Sequence, residues 1–266
     1  MSNEFDTDVK YRLYRTISEI LAPTISKKNI SNYKILIDDN LLPIRVFYPR
    51  SVSKLDKVII FIHGDGEVTS CFSKYGEICK NMALYTERLV IAIDYNKIKH
   101  GYMQMINEVI DTVVFLYDEL EKNGILRDDI CLVGDSTASF IITSINKSNR
   151  VNVFKEILFY PIIDNYLMIN DNNSFIKKVK DYYSYIAYKK DMKDDCFNVL
   201  EDDNYKCSCK SMIVVGSMDS VASSCCLYYN KIGDKKNSLL KFDFLSHGFL
   251  KDMESDMYLE INKFLD

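Results

Sequence analysis

Apolar residues recur along this chain with two different periods, and the change between them outlines an architecture. Val9, Leu13, Ile17 and Ile20 repeat at helical spacing, which predicts an N-terminal amphipathic helix ended by Pro23. Two strand-like runs follow at 33–37 and 44–48, separated by the turn-rich Asp38-Asp39-Asn40. So short a connection predicts antiparallel pairing. Short apolar runs then return at 57–62, 89–93, 130–133, 156–160, 212–215 and 239–244. Most are separated by stretches long enough for a helix, including 104–120, 136–145 and 222–232, and 253–264 follows the last run. Strands alternating with helices predict an α/β fold, a mostly parallel sheet of eight strands with helices on both faces. Functional loops are then expected at the C-terminal ends of the strands.

Residues 165–210 break this alternation. They are polar and tyrosine-rich, with a helical pattern at 176–188. A segment this long between two core strands reads as an insertion that covers the strand ends as a lid. The alternative is a surface helix away from any ligand.

Composition adds limits. A chain of 266 residues can bury one large core, so residues 1–266 are expected to form a single domain. Hydrophobic and charged fractions of 47% and 27% are those of an ordinary globular protein. A net charge of −4 gives no electrostatic case for nucleic acid or an acidic membrane surface. The acidic start Met1-Ser2-Asn3-Glu4-Phe5-Asp6 lacks the basic and apolar regions of a secretory signal. No apolar run approaches the roughly 20 residues that span a bilayer. A cytoplasmic location is the expectation.

In that setting Cys71, Cys79, Cys131, Cys196, Cys207, Cys209, Cys225 and Cys226 are expected to be reduced thiols. Cys207-Ser208-Cys209 and Cys225-Cys226 do not make the paired Cys-x-x-Cys pattern of a zinc site, so no metal is expected.

Candidate chemistry sits at the ends of the apolar runs. Gly134-Asp135-Ser136-Thr137-Ala138 follows Ile130-Cys131-Leu132-Val133 and precedes a helical pattern. This Gly-x-Ser-x-small pattern suits a sharp strand-to-helix turn that exposes a serine hydroxyl, with Gly134 and Ala138 letting strand and helix approach. Serine needs a base, and His247 in Leu245-Ser246-His247-Gly248-Phe249 follows the last strand. An acid must orient that imidazole. Asp219 in Gly216-Ser217-Met218-Asp219 directly follows the run 212–215, and Asp243, inside the last predicted strand, is the rival. The order Ser136, Asp219, His247 is that of α/β-hydrolases. His63-Gly64-Asp65-Gly66 follows Val58-Ile59-Ile60-Phe61-Ile62. A glycine-rich loop there can aim backbone N–H groups at an oxyanion, with the Asp65, Gly66 and Thr137 amides as donors. His63 reads as a brace for this loop, beside Gly64, rather than as a proton carrier. A metal reading of His63, Asp65 and Glu67 has no further ligand cluster behind it.

With these motifs the chain resembles the hormone-sensitive-lipase-like family of α/β-hydrolase esterases. Ile44-Arg45-Val46-Phe47-Tyr48-Pro49, Ile91-Ala92-Ile93-Asp94-Tyr95 and Leu158-Phe159-Tyr160-Pro161-Ile162-Ile163-Asp164 carry the resemblance as well. It implies an α/β-hydrolase fold with a small helical cap built from residues 1–30 and 165–210. It also implies a carboxylic ester hydrolase acting on short acyl groups without a cofactor.

Departures accompany the matches. The family's His-Gly-Gly-Gly has Asp65 at its middle glycine here. A carboxylate roughly 7 Å from an oxyanion costs on the order of 2 kcal/mol at an effective dielectric near 20. Gly-Asp-Ser-Ala-Gly-Gly reads Gly134-Asp135-Ser136-Thr137-Ala138-Ser139. Asn96-Lys97-Ile98-Lys99-His100 replaces the Arg-Leu-Ala-Pro-Glu-His segment, and Asp219-Ser220-Val221 replaces Asp-Pro-Leu.

The leading expectation is a serine esterase whose partner is a small-molecule acyl ester, with homodimer formation left open. An amide or arylformamide hydrolase with the same residues is the second reading. A third is a catalytically weak ligand-binding protein on a hydrolase scaffold, as plant gibberellin receptors are in this family.

Overall fold

A computed structural model describes residues 12–22, 34–50, 54–64, 72–95, 102–163, 199–233 and 236–266. Within them the chain runs β1 (Arg12–Tyr14), α1 (Ile17–Leu21), β2 (Lys34–Leu36), β3 (Ile44–Phe47), β4 (Val58–Ile62), α2 (Phe72–Thr86), β5 (Leu89–Ile93) and α3 (Tyr102–Lys122). It continues through β6 (Ile130–Asp135), α4 (Ala138–Ser148), β7 (Lys155–Phe159), β8 (Lys210–Gly216), α5 (Ala222–Ile232), β9 (Ser238–Phe242) and α6 (Met257–Leu265). The strands join in the order β1-β2-β3-β5-β4-β6-β7-β8-β9. Pairing is antiparallel at β2–β3 and β3–β5 and parallel elsewhere.

The eight strands expected from the apolar runs are all present, and the sheet gains a ninth. β1 pairs in parallel with β2, Leu13 opposite Ile35. It lies where the sequence pattern predicts continuous helix from Val9. Only Ile17–Leu21 is helical among the described residues of that stretch. Thr16 explains the break: its hydroxyl accepts from the Glu19 amide while the Glu19 carboxylate accepts from the Thr16 amide. Such a capping box starts a helix at this point, so the preceding residues are free to pair as a strand. Ile17 and Ile20, three apart, still share the buried face. Residues 1–11, and the 176–188 stretch within the proposed lid, lie outside the described residues.

Central strands owe their place to composition. Every residue of β4 and β5 is buried, the continuous apolar pattern of strands covered on both faces. β4 pairs in parallel with both β5 and β6, and the chain leaves β4 toward β5 but leaves β6 toward β7, so the connections from these two C-terminal ends diverge in opposite directions along the sheet. This is a topological switch point, where open α/β sheets form a crevice beyond the strand C-termini. His63-Gly64 follows β4 and Ser136 follows β6, at that crevice. No helix among the described residues is long and apolar enough to cross a membrane.

Candidate active site

Ser136 stands between β6 and α4 with φ of 51°, a left-handed conformation rare outside glycine. Such backbone costs of order 1–3 kcal/mol and persists only where the surroundings over-determine it. Here they do. The Ser136 amide donates to the Phe159 carbonyl at 2.9 Å, and the Ser136 carbonyl accepts from the Ile162 amide at 3.1 Å and the Ser139 hydroxyl at 2.7 Å. The Ser139 hydroxyl also contacts the Ile162 carbonyl. Gly134 leaves the room the turn needs: a Cβ there would lie 2.6 Å from Ile142 Cδ1 and 3.1 Å from Ala138 Cβ. The small residues expected around the serine therefore do meet across the strand–helix junction.

The three residues that sequence order suggested are brought together. Ser136 Oγ lies 2.9 Å from His247 Nε2. His247 Nδ1 lies 3.0 and 3.2 Å from the two Asp219 carboxylate oxygens. The Asp219 side chain is fully buried and His247 is 14% exposed, so water has little access to their bond. Asp243 is exposed beyond the end of β9, and the Asp219 carboxylate takes the place against the imidazole.

Two loops hold this pair in register. The Met218 amide donates to the Leu245 carbonyl at 3.0 Å, and the Phe244 amide donates to Ser217 Oγ at 2.9 Å. Leu245 comes so close that a Cβ on Gly216 would sit 2.2 Å from its carbonyl oxygen. Asp219 Oδ1 also accepts from the Val221 amide at 3.0 Å, which fixes the carboxylate's orientation.

On the other side, Asp135 joins the serine turn to the loop after β4. Its Oδ1 accepts from the Gly64 amide at 2.7 Å, and its Oδ2 from the Tyr75 hydroxyl at 2.9 Å. His63 is buried, stacked on Tyr95 with ring centroids 4.2 Å apart, and lies 5.3 Å from the Tyr75 ring. The Tyr95 hydroxyl donates to the His63 carbonyl. This packing suits a brace. Thr137, buried, is the N-cap residue of α4, where helix amides carry partial positive charge. Asp65, Gly66 and His100 lie outside the described residues.

Sequence reasoning assigned no role to Tyr75 or Tyr160. Tyr160 has φ of 36°, its ring centroid lies 4.7 Å from that of His247, and its hydroxyl is 3.4 Å from Asp135 Oδ2. A polar aromatic at the C-terminal end of β7 was a usable signal for it. Tyr75, on a helix with no motif, gave none.

A family model described as alpha/beta hydrolase fold matches residues 59–251. The chain belongs to this family. Its members include the hormone-sensitive-lipase-like hydrolases, so the family is one of hydrolytic enzymes. Among curated proteins, arylacetamide deacetylase-like 4 family member 1 of Mus musculus is 22% identical over 153 residues, 54% of this chain and 37% of that protein. Arylacetamide deacetylase-like 4 of Homo sapiens is 23% identical over 129 residues, 46% of this chain and 32% of that one. The matched segments thus span about a third of the length of these relatives.

Solved structures share the fold over more of the chain. The Francisella virulence factor BioJ aligns with a TM-score of 0.72 and 20% identity, covering 86% of this chain and 82% of that one. A thermostable carboxylesterase from a metagenomic library, EstE1, aligns at 0.69 and 16%, covering 84% and 82%.

Proposed function

We propose that the protein is a serine hydrolase that cleaves short-chain carboxylic esters through an acyl-enzyme intermediate, without a cofactor. The observation that carries this reading is the chain of hydrogen bonds from Ser136 Oγ through His247 to Asp219. With Nδ1 protonated and donating to the Asp219 carboxylate, His247 presents Nε2 as the acceptor for the serine proton. Ser136 Oγ attacks the ester carbonyl as that proton moves to Nε2. The resulting imidazolium is stabilised by the buried Asp219 charge. Collapse of the tetrahedral intermediate expels the alcohol, which takes the proton from Nε2. Water then repeats the sequence on the acyl-enzyme and releases the acid.

The oxyanion is held by the Thr137 amide at the start of α4 together with those of Asp65 and Gly66. Purified protein should hydrolyse p-nitrophenyl acetate or butyrate and be labelled by a fluorophosphonate. Ser136→Ala should remove both, with kcat falling on the order of 10⁶-fold as for other serine-triad knockouts. Undiminished hydrolysis by the folded variant would refute the assignment.

The names of the curated relatives favour a second substrate class, aryl acetamides. The same residues can expel an amine, with His247 protonating the leaving nitrogen. Rates on a matched aryl acetate and aryl acetamide separate the two.

A further inference from the structure

At the opposite end of the sheet from Ser136, near the starts of β7 and β8, Glu156 is buried with no exposure to solvent. Neutral groups surround its carboxylate. The Ser211 hydroxyl donates to Oε1 at 2.7 Å, Asn146 Nδ2 donates to Oε2 at 2.8 Å, and Cys207 Sγ lies 3.5 Å from Oε1. Among the described residues, no lysine, arginine or histidine makes an ion pair with it. Beside it, Cys207 Sγ and Cys209 Sγ are 3.2 Å apart, and one ligand atom from each of the three residues lies within 4.8 Å of the others.

We propose that Cys207, Cys209 and Glu156 form a binding site for a thiophilic divalent cation of the zinc class. Tetrahedral zinc with ordinary bond lengths sets its sulfur and carboxylate oxygen about 3.6 Å apart and two sulfurs about 3.8 Å apart. The Cys207–Glu156 separation already fits, and the two sulfurs need to part slightly. Cys209 is buried while Cys207 is half-buried, so the ion enters past Cys207 and a water completes its shell there. Binding breaks two S–H bonds. Each sulfur gives its electron pair to the metal, and two protons leave to solvent.

Ser211 and Asn146 fix the carboxylate orientation, the usual support of a metal ligand. The ion would clip the segment entering β8 onto β7. Because the third ligand comes from a different strand, the spacing of the cysteines alone does not reveal the site.

Cobalt(II) is the probe. The intact protein is reduced, freed of reductant and metals under nitrogen, and its thiols are counted after denaturation to show that they are free. The expected result is one equivalent bound per chain, with thiolate-to-cobalt charge-transfer absorption and tetrahedral visible bands that zinc abolishes. Cys207→Ser should weaken binding at least about tenfold and diminish the charge-transfer band. Glu156→Gln should weaken binding while keeping that band. Circular dichroism establishes that each variant is folded. Absence of thiolate absorption in protein with free thiols, or a band and affinity unchanged in folded Cys207→Ser, would overturn the proposal.

Discussion

The Gly64 amide donates a 2.7 Å hydrogen bond to the Asp135 carboxylate, joining the loop after β4 to the turn that carries Ser136. The Tyr75 hydroxyl holds the second oxygen of the same buried carboxylate. Asp135→Ala removes the shared acceptor of the Gly64 amide and the Tyr75 and Tyr160 hydroxyls, which should cost about 2–5 kcal/mol of stability. It should also lower kcat for ester hydrolysis more than it raises KM, because the proposed oxyanion loop loses its anchor to the turn that carries Ser136. Tyr75→Phe removes one donor and should cost about 1 kcal/mol. Urea unfolding and steady-state kinetics measure the two effects. Equal losses in the two variants would mean that the Gly64 bond contributes nothing.

Gly216→Ala tests how the loops carrying Asp219 and His247 are registered. The new Cβ would meet the Leu245 carbonyl oxygen at 2.2 Å, and that atom belongs to backbone that cannot swing aside alone. The loop bearing His247 must shift by a large fraction of an ångström. A misplacement on the order of 1 Å in a catalytic group costs roughly 10²-fold in rate. Stability should fall by about 1–3 kcal/mol, the usual penalty of overpacking. A variant with wild-type kcat would show that the loop adjusts without moving the imidazole.

Much of this arrangement was legible in the sequence because it is local. The runs at 57–62, 89–93 and 130–133 are buried parallel strands, and their apolar continuity reports that directly. Ser136 and His247 each follow a strand, so chain order alone placed them at one end of the sheet. Asp219 could be preferred over Asp243 on the same ground. What stayed hidden depends on residues far apart in sequence. The pairing of β1 with β2 overrode the helical spacing of Leu13 and Ile17, since register with another strand leaves no local mark. Tyr75 reaches Asp135 from a helix whose pattern records only its buried face. Cys207 and Cys209 meet Glu156 across some fifty positions of chain, and no spacing rule spans that gap.

Asp219→Asn should separate orientation from charge at the proposed acid. The amide is close to isosteric, so the fold and the Val221 contact should persist. Its NH2 group, however, favours the tautomer in which His247 Nδ1 accepts, leaving Nε2 protonated and unable to take the serine proton. In a triad of this geometry that exchange lowers kcat by about 10⁴-fold. Ester hydrolysis at neutral pH measures the loss, and thermal unfolding should change little. A loss under tenfold would remove Asp219 from the orienting role.

Asp202 offers a pH-dependent test of how the segment before β8 is tied to the core. Its carboxylate lies 2.6 Å from Lys147 Nζ on α4, and that hydrogen bond holds its pKa below the ordinary value of 3.8 against the opposing effect of burial. A depressed carboxyl pKa contributes stability that is present above the unfolded value and lost as pH falls through the folded one. Asp202→Asn should therefore be less stable than the parent near neutral pH, by about 0.5 kcal/mol for a pair so near the surface. The difference should shrink in high salt and vanish once the parent's own carboxyl is protonated in acid. Urea unfolding of both proteins, repeated from neutral pH to below 3.8, follows the change. A difference that persisted undiminished in acid would show that the ion pair with Lys147 is not its source.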